Sequence, residues 1–322
     1  MFELTAPIPS RSDLDWCWYL RRHGKTGEAL ERVLHDIGVL QPGGWANWQP
    51  SSITDTGAPV EMQFTEDQSA LWLWTEVDDP ASDPITRLSK ALQVITAIGA
   101  TPPSLALRDV IAAAQSDGPL SFGARLGLKQ TATSLGVTLF AEVTDTAADL
   151  TTLLATGVMP PAQDAATRMT MLGYCLGTQT VTLYYDTEAA LKTVLAQLTA
   201  IAGVPVEPLH AQIDHMMAAA HPDGTLGKLR YALRYTPGHK RPELTVFLSA
   251  KSAFLNDAAI TREVRNFPGA HMPGYEALID MHVPAPRGQS LHGDVGFQAQ
   301  VDGRPRLSIA VAAPWHCPIE VA

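Results

Sequence analysis

The 322-residue chain is 46% hydrophobic, enough for one large core or two ordinary ones. Its 23 Lys and Arg against 33 Asp and Glu leave a net charge of −10, with no basic block, which argues against nucleic acid or an anionic membrane as partner. Three widely spaced cysteines (Cys17, Cys175, Cys317) signal neither a disulfide framework nor a zinc site, and there is no basic-then-apolar leader or apolar run of about 20 residues, so a reduced, soluble, cytoplasmic protein is the expectation.

Along the chain, helical and strand periods alternate in blocks. An amphipathic helix is predicted in GKTGEALERVLHDIGVL, followed by a hairpin of PVEMQF and SALWLWTEV. Helices in PITRLSKALQVITAIGA and SLALRDVIAAAQ precede the hairpin GARLGLKQ with GVTLFAEV. The helix AADLTTLLATG then leads into RMTMLGYCL with QTVTLYYDT, and TEAALKTVLAQLTAIAG and LHAQIDHMMAAA lead into KLRYALRY with ELTVFLSA. The helices NDAAITREVRNF and GYEALIDMH precede the last pair, GDVGFQAQV and RLSIAVAA. Links such as TEDQ, LGTQ, TPGHKRP and DGRP are short and turn-rich, as hairpins require.

Five helix-then-hairpin units imply antiparallel pairing and disfavour a doubly wound parallel sheet. Ten antiparallel strands covered by helices on one face escape exposed edges by closing into a barrel, with the helices as an outer ring. No linker rich in Gly, Pro or charge divides the chain, so residues 1–322 are read as one α+β domain.

The turn residues Thr56-Gly57-Ala58-Pro59 open a strand whose alternation places Glu61 on one face with Gln63 two residues on. DTGAPVEMQFTEDQSALWLWTEVDDP, PELTVFLSAKSAFLNDAAITREVRNF and TVTLYYDT stand in an order and spacing that resemble the indole prenyltransferases of the dimethylallyltryptophan synthase type, which have the ABBA or PT-barrel fold. The resemblance runs from about Gly38 onward. It implies a ten-stranded barrel of five ααββ units, a cytoplasmic enzyme of secondary metabolism and an indole-like or other aromatic substrate. It also implies that Glu61 holds the substrate N–H and takes up a proton during ring alkylation. A carboxylate acceptor in a low-dielectric cavity suits that chemistry.

The same resemblance requires a cage of Arg and Lys, screened by tyrosines, to hold an allylic diphosphate, and here the sequence departs from it. Trp72 stands for arginine on the first return strand, Thr138 and Phe140 for lysine and tyrosine on the second. Thr180 and Thr182 stand for the basic pair of the third, where Tyr184 is kept, and Thr245 and Phe247 for lysine and tyrosine on the fourth. Each charge-assisted hydrogen bond contributes roughly 1.5–3 kcal/mol, so four lost ones remove on the order of 6–12 kcal/mol of anion binding. Arg125, Lys129, Lys228, Arg230 and Arg234 are the candidate replacements.

The expected lumen is lined by Glu61, Gln63, Trp72, Trp74, Thr138, Phe140, Thr182, Tyr184, Thr245 and Phe247, an apolar and aromatic cavity with a few polar handles. There is no GxGxxG, Walker-type loop, GxSxG or HExxH, so neither cofactor nor metal is expected. His210 and His215 read as solvated, His316–Cys317 as an unpromising pair, and the tract with His271, His282 and His292 as a loop over a barrel mouth. The expectation is a monomer or weak homodimer that closes or rearranges rings in an assembled, prenylated aromatic precursor, with Glu61 as base. The alternatives are a prenyltransferase with a rebuilt basic site, and a barrel that only binds a hydrophobic ligand.

Overall fold

A computed structural model describes residues 11–42, 44–66, 70–116, 118–144, 166–205, 207–220, 229–254, 256–268, 271–281 and 289–314. Two helices, α1 (Arg11–Arg22) and α2 (Lys25–Ile37), lead to a two-residue ladder of β1 (Leu40–Gln41) with β2 (Gly44–Trp45). The barrel strands follow in pairs: β3 (Val60–Thr65) and β4 (Leu71–Thr75), β5 (Ala124–Gln130) and β6 (Leu135–Glu142), β7 (Thr167–Cys175) and β8 (Thr180–Thr187). The fourth and fifth pairs are β9 (Leu229–Tyr235) with β10 (Glu243–Ser249), and β11 (His292–Gln298) with β12 (Arg306–Ala312). Between them lie α3 (Arg87–Ala97), α4 (Leu105–Ser116), α5 (Leu191–Ala202), α6 (Glu207–Ala220), α7 (Asp257–Asn266) and α8 (Pro273–Met281).

The ten strands β3–β12 close into one barrel in which every neighbouring pair is antiparallel. Closure joins the first strand to the last, with Ala312 opposite Glu61 and Ser308 opposite Thr65. The expected α+β barrel is therefore the observed one. Its five hairpins follow the predicted pairs, and helices α2 to α8 fall where the 3.6 period put them. The predicted helix in AADLTTLLATG lies outside the described residues, as do Lys228, His282, His316 and Cys317.

Alternation decides which side chains face which layer. On β3, Val60, Met62 and Phe64 are buried in the main core against the helices, whereas Glu61, Gln63 and Thr65 occupy the other face and keep partial access. The helix starts follow local chemistry. Asn256 accepts a hydrogen bond from the Ala259 backbone N–H and so caps α7, which explains the NDAA start.

Helix α1 was not expected from the sequence. Its signal is carried by large aromatics: Trp16, Tyr19 and Leu20, spaced three and four apart, are fully buried, and Trp16 stacks on both Tyr19 and Trp45. The histidine tract also differs from a mouth loop. It contains α8, and His292 is fully buried at the start of β11, with its Nδ1 2.6 Å from Asp257 and its Nε2 2.9 Å from the Tyr275 hydroxyl. Burial alone would raise the Asp257 carboxyl, but hydrogen bonds from His292, the Leu291 N–H and Ser290 bring it down to about 2. This group pins β11 to α7 and α8.

Candidate active site inside the barrel

Glu61 lies at one end of the lumen, opposite Trp74 on β4 and Ala312 on β12. Its carboxyl presses against the backbone of β11: a Cβ added to Gly293 would sit 2.0 Å from Oε1. Burial pushes the Glu61 carboxyl up, the neighbouring Asp294 carboxylate pushes it further, and Arg125 and Arg230 pull it back only in part, leaving it at about 8. Burial likewise raises Asp294, against the pull of Arg230.

Next to Glu61 stands a cluster of rings. Trp74 stacks on Phe140 with centroids 4.2 Å apart, Tyr184 meets both edge-on at 6.1 and 6.0 Å, and Phe247 continues the row 6.2 Å from Tyr184. The rings lie over strand glycines. A Cβ on Gly127 would come within 2.6 Å of the Phe140 ring, one on Gly173 within 2.9 Å of it, and one on Gly296 within 3.0 Å of Phe247. Phe140 and Tyr184 are thereby only 3% and 8% exposed. That corrects the expectation of a cavity merely lined by these side chains: with Met171 and Ala232 they form a small second core inside the barrel.

The remaining expected residues are spread along the lumen face. Gln63 pairs with Trp72 towards the other mouth, where the Lys129 ammonium sits 4.7 Å from the Trp72 ring centroid. Thr138 lies opposite Gly127 and Cys175, Thr182 lies opposite Gly173 and Arg234, and Thr245 lies opposite Gln298 and Ala232.

The candidate replacements for the basic cage are engaged elsewhere. Arg125 contacts Glu76 at 2.8 Å and Ser52 at 2.8 Å. Glu76 is fully buried and also takes Arg87 at 3.3 Å and the Ser51 hydroxyl at 2.5 Å. Arg230 bridges Asp186 at 3.1 Å and Asp294 at 2.8 Å, and first Asp294, then Asp186, hold its guanidinium charged against burial. Arg234 lies 3.8 Å from Glu243. Sequence reasoning missed Asp186, Asp294, Gly293 and Glu76. For Asp186 and Asp294 the signal was the same strand alternation that singled out Glu61, but Gly293 and Asp294, which meet Glu61 in the barrel, stand more than 230 residues from it in the chain.

Solved structures share this architecture along nearly the whole chain. A 5-dimethylallyltryptophan synthase from Streptomyces coelicolor superposes with a TM-score of 0.75 at 14% identity, over 92% of this chain and 95% of that one. The chain has the prenyltransferase-barrel fold. A 6-dimethylallyl tryptophan synthase gives 0.71 at 19% identity, over 95% and 96%. The prenyltransferase PriB, in a ternary complex with L-tryptophan and dimethylallyl thiolodiphosphate, gives 0.72 at 16% identity, over 95% and 97%. No protein-family model matches the chain, and no curated protein matches it by sequence.

Proposed function

We propose that the chain is an enzyme acting on an aromatic small molecule inside the barrel, with Glu61 taking up the proton that the ring releases. The reaction is ring closure or rearrangement of an already assembled precursor, without departure of an allylic diphosphate. The observation that carries this reading is the Glu61 carboxyl. It faces the lumen, is raised to about 8, and is set beside the row of Trp74, Phe140, Tyr184 and Phe247. A base of that strength can accept a proton from a ring cation, and aromatic faces stabilise the cation before the proton leaves.

The absence of diphosphate chemistry is supported by occupancy and charge. Phe140 and Phe247 fill volume where the resemblance calls for tyrosines beside lysines. The described Arg and Lys of the lumen already face carboxylates or a ring. A diphosphate would have to displace Asp294 from Arg230 and leave that carboxylate buried and unpaired, which is costly.

A second reading, prenyl transfer through a rebuilt site, is favoured by the solved structures of this fold that hold tryptophan with a dimethylallyl diphosphate analogue. One assay separates the two. Protein incubated with dimethylallyl diphosphate and tryptophan derivatives, with and without magnesium, is expected to release no diphosphate above the uncatalysed rate. Turnover with release of stoichiometric diphosphate selects the second reading.

A further inference from the structure

The ring proton goes to Glu61, which leaves the neighbouring Asp294 without a task. Strand β11 departs from regular pairing at that point. His292 lies opposite Val311 and Val295 opposite Ile309, so Gly293 and Asp294 together face Ala310 in a β-bulge. His292 is held in the helix layer by Asp257 and Tyr275, while Gly293 turns to Glu61 and Asp294 to Arg230. We propose that Asp294 is a specificity-determining residue of the lumen site and takes the protonated amine of an aromatic amine substrate. This rests on the lumen being where the substrate binds.

Charge points to a cation. At this end of the barrel Glu61, Glu76, Asp186 and Asp294 meet Arg87, Arg125 and Arg230. Glu76 takes both Arg87 and Arg125, and Arg230 is shared by Asp186 and Asp294. Lys251 is held by Asp55 at 2.8 Å. Glu61 is left with no cation of its own, and it makes no hydrogen bond to a described residue. These groups are one positive charge short of balance. An anionic ligand would widen the deficit, and a cationic one removes it.

Asp294 is also within reach. Its side chain keeps 32% of its surface, and it spends Oδ2 on Arg230 at 2.8 Å, which leaves Oδ1 for a ligand. The ring row is next to it. Asp186 stands two residues beyond Tyr184 on β8, and Asp294 stands two before Gly296, over which Phe247 lies. Two strand residues span roughly 7 Å, so a short alkylamine arm on a ring held by that row reaches the carboxylates.

Such an amine also readies the base. Asp294 adds to the rise of Glu61, so in the free protein Glu61 is mostly protonated at pH 7. An ammonium on Asp294 cancels that push, and Glu61 ionises as the substrate arrives.

The test is isothermal titration calorimetry of the full chain at pH 7 with tryptamine, tryptophol and indole-3-acetate, which share a ring and differ in charge. Tryptamine is expected to bind at least tenfold more tightly than tryptophol, and indole-3-acetate more weakly than either. Tryptamine titrations in buffers of different ionisation enthalpy should show release of up to about one proton per molecule bound. Asp294→Asn should bring tryptamine and tryptophol to equal affinity. If that variant does not fold, the probe comparison and the proton release in the unaltered chain decide. Equal binding of tryptamine and tryptophol overturns the amine assignment and keeps an aromatic lumen site, as does a tenfold difference that survives Asp294→Asn. Binding of none of the three overturns both. Diphosphate release from dimethylallyl diphosphate bears on the reaction alone.

Discussion

At the scale of single residues, the protonation of Glu61 sets both stability and rate. Its carboxyl lies at about 8 when folded, against an ordinary value of 4.5. Between those values the folded state therefore holds more protons than the unfolded chain. Stability contributed by this group is fully present below about 4.5 and is lost as pH rises through 8. Glu61→Gln is expected to flatten that part of the stability curve, measured as denaturant midpoint against pH, and to abolish turnover of the native precursor. As a base, Glu61 works only when ionised, so kcat/KM should rise with pH and level off above about 8. Asp294→Asn removes the carboxylate that raises Glu61 and frees Arg230, which lowers it. Both changes move the rising limb of the pH profile to lower pH. An unmoved limb would show that Glu61 is not the titrating base.

At the scale of elements, the strands were legible because hairpins with period-2 patterns have one side facing helices and one facing the lumen. All ten expected site residues fall on the lumen face for that reason. What was not legible is how neighbouring strands share space across it. Gly127, Gly173 and Gly296 look like weak points of strands when read singly. In the barrel, Gly127 and Gly173 flank Phe140 from the two adjacent strands. The absent side chains let the ring lie flat under Trp74. The buried Glu76 hub escaped notice similarly, since its partners Arg87 and Arg125 come from a helix and another strand. Gly173→Ala tests the packing argument. Phe140 is hemmed in by Trp74 at 4.2 Å and by Gly127, so it cannot move away from a new methyl. The expected cost is about 1–3 kcal/mol, read from urea midpoints at unchanged slope. Phe140→Leu in the same chain should recover most of it, a coupling that two independent lesions would not show.

At the scale of the whole molecule, the barrel exists only because β12, near one end of the chain, pairs with β3, which follows the two N-terminal helices. That seam holds the site together as well as the fold. It sets Ala312 beside Glu61 and Ala310 beside Gln63, and β12 holds β11, which carries Gly293 and Asp294. A pairing of such sequence separation is costly to close and late to form. Before closure, β3 presents an open edge next to Trp72 and Trp74 of β4. A chain ending at Pro305 keeps nine of the ten barrel strands but exposes the edges of β3 and β11. It is expected to lose cooperative unfolding and to aggregate at micromolar concentration, whereas losing a peripheral strand would merely lower the midpoint. Adding residues 306–322 back as a separate peptide should restore a single unfolding transition, because the missing strand fits an edge whose register is fixed on both sides. Retention of a sharp transition in the truncated chain, by circular dichroism and size-exclusion chromatography, would show that the remaining strands close without the seam.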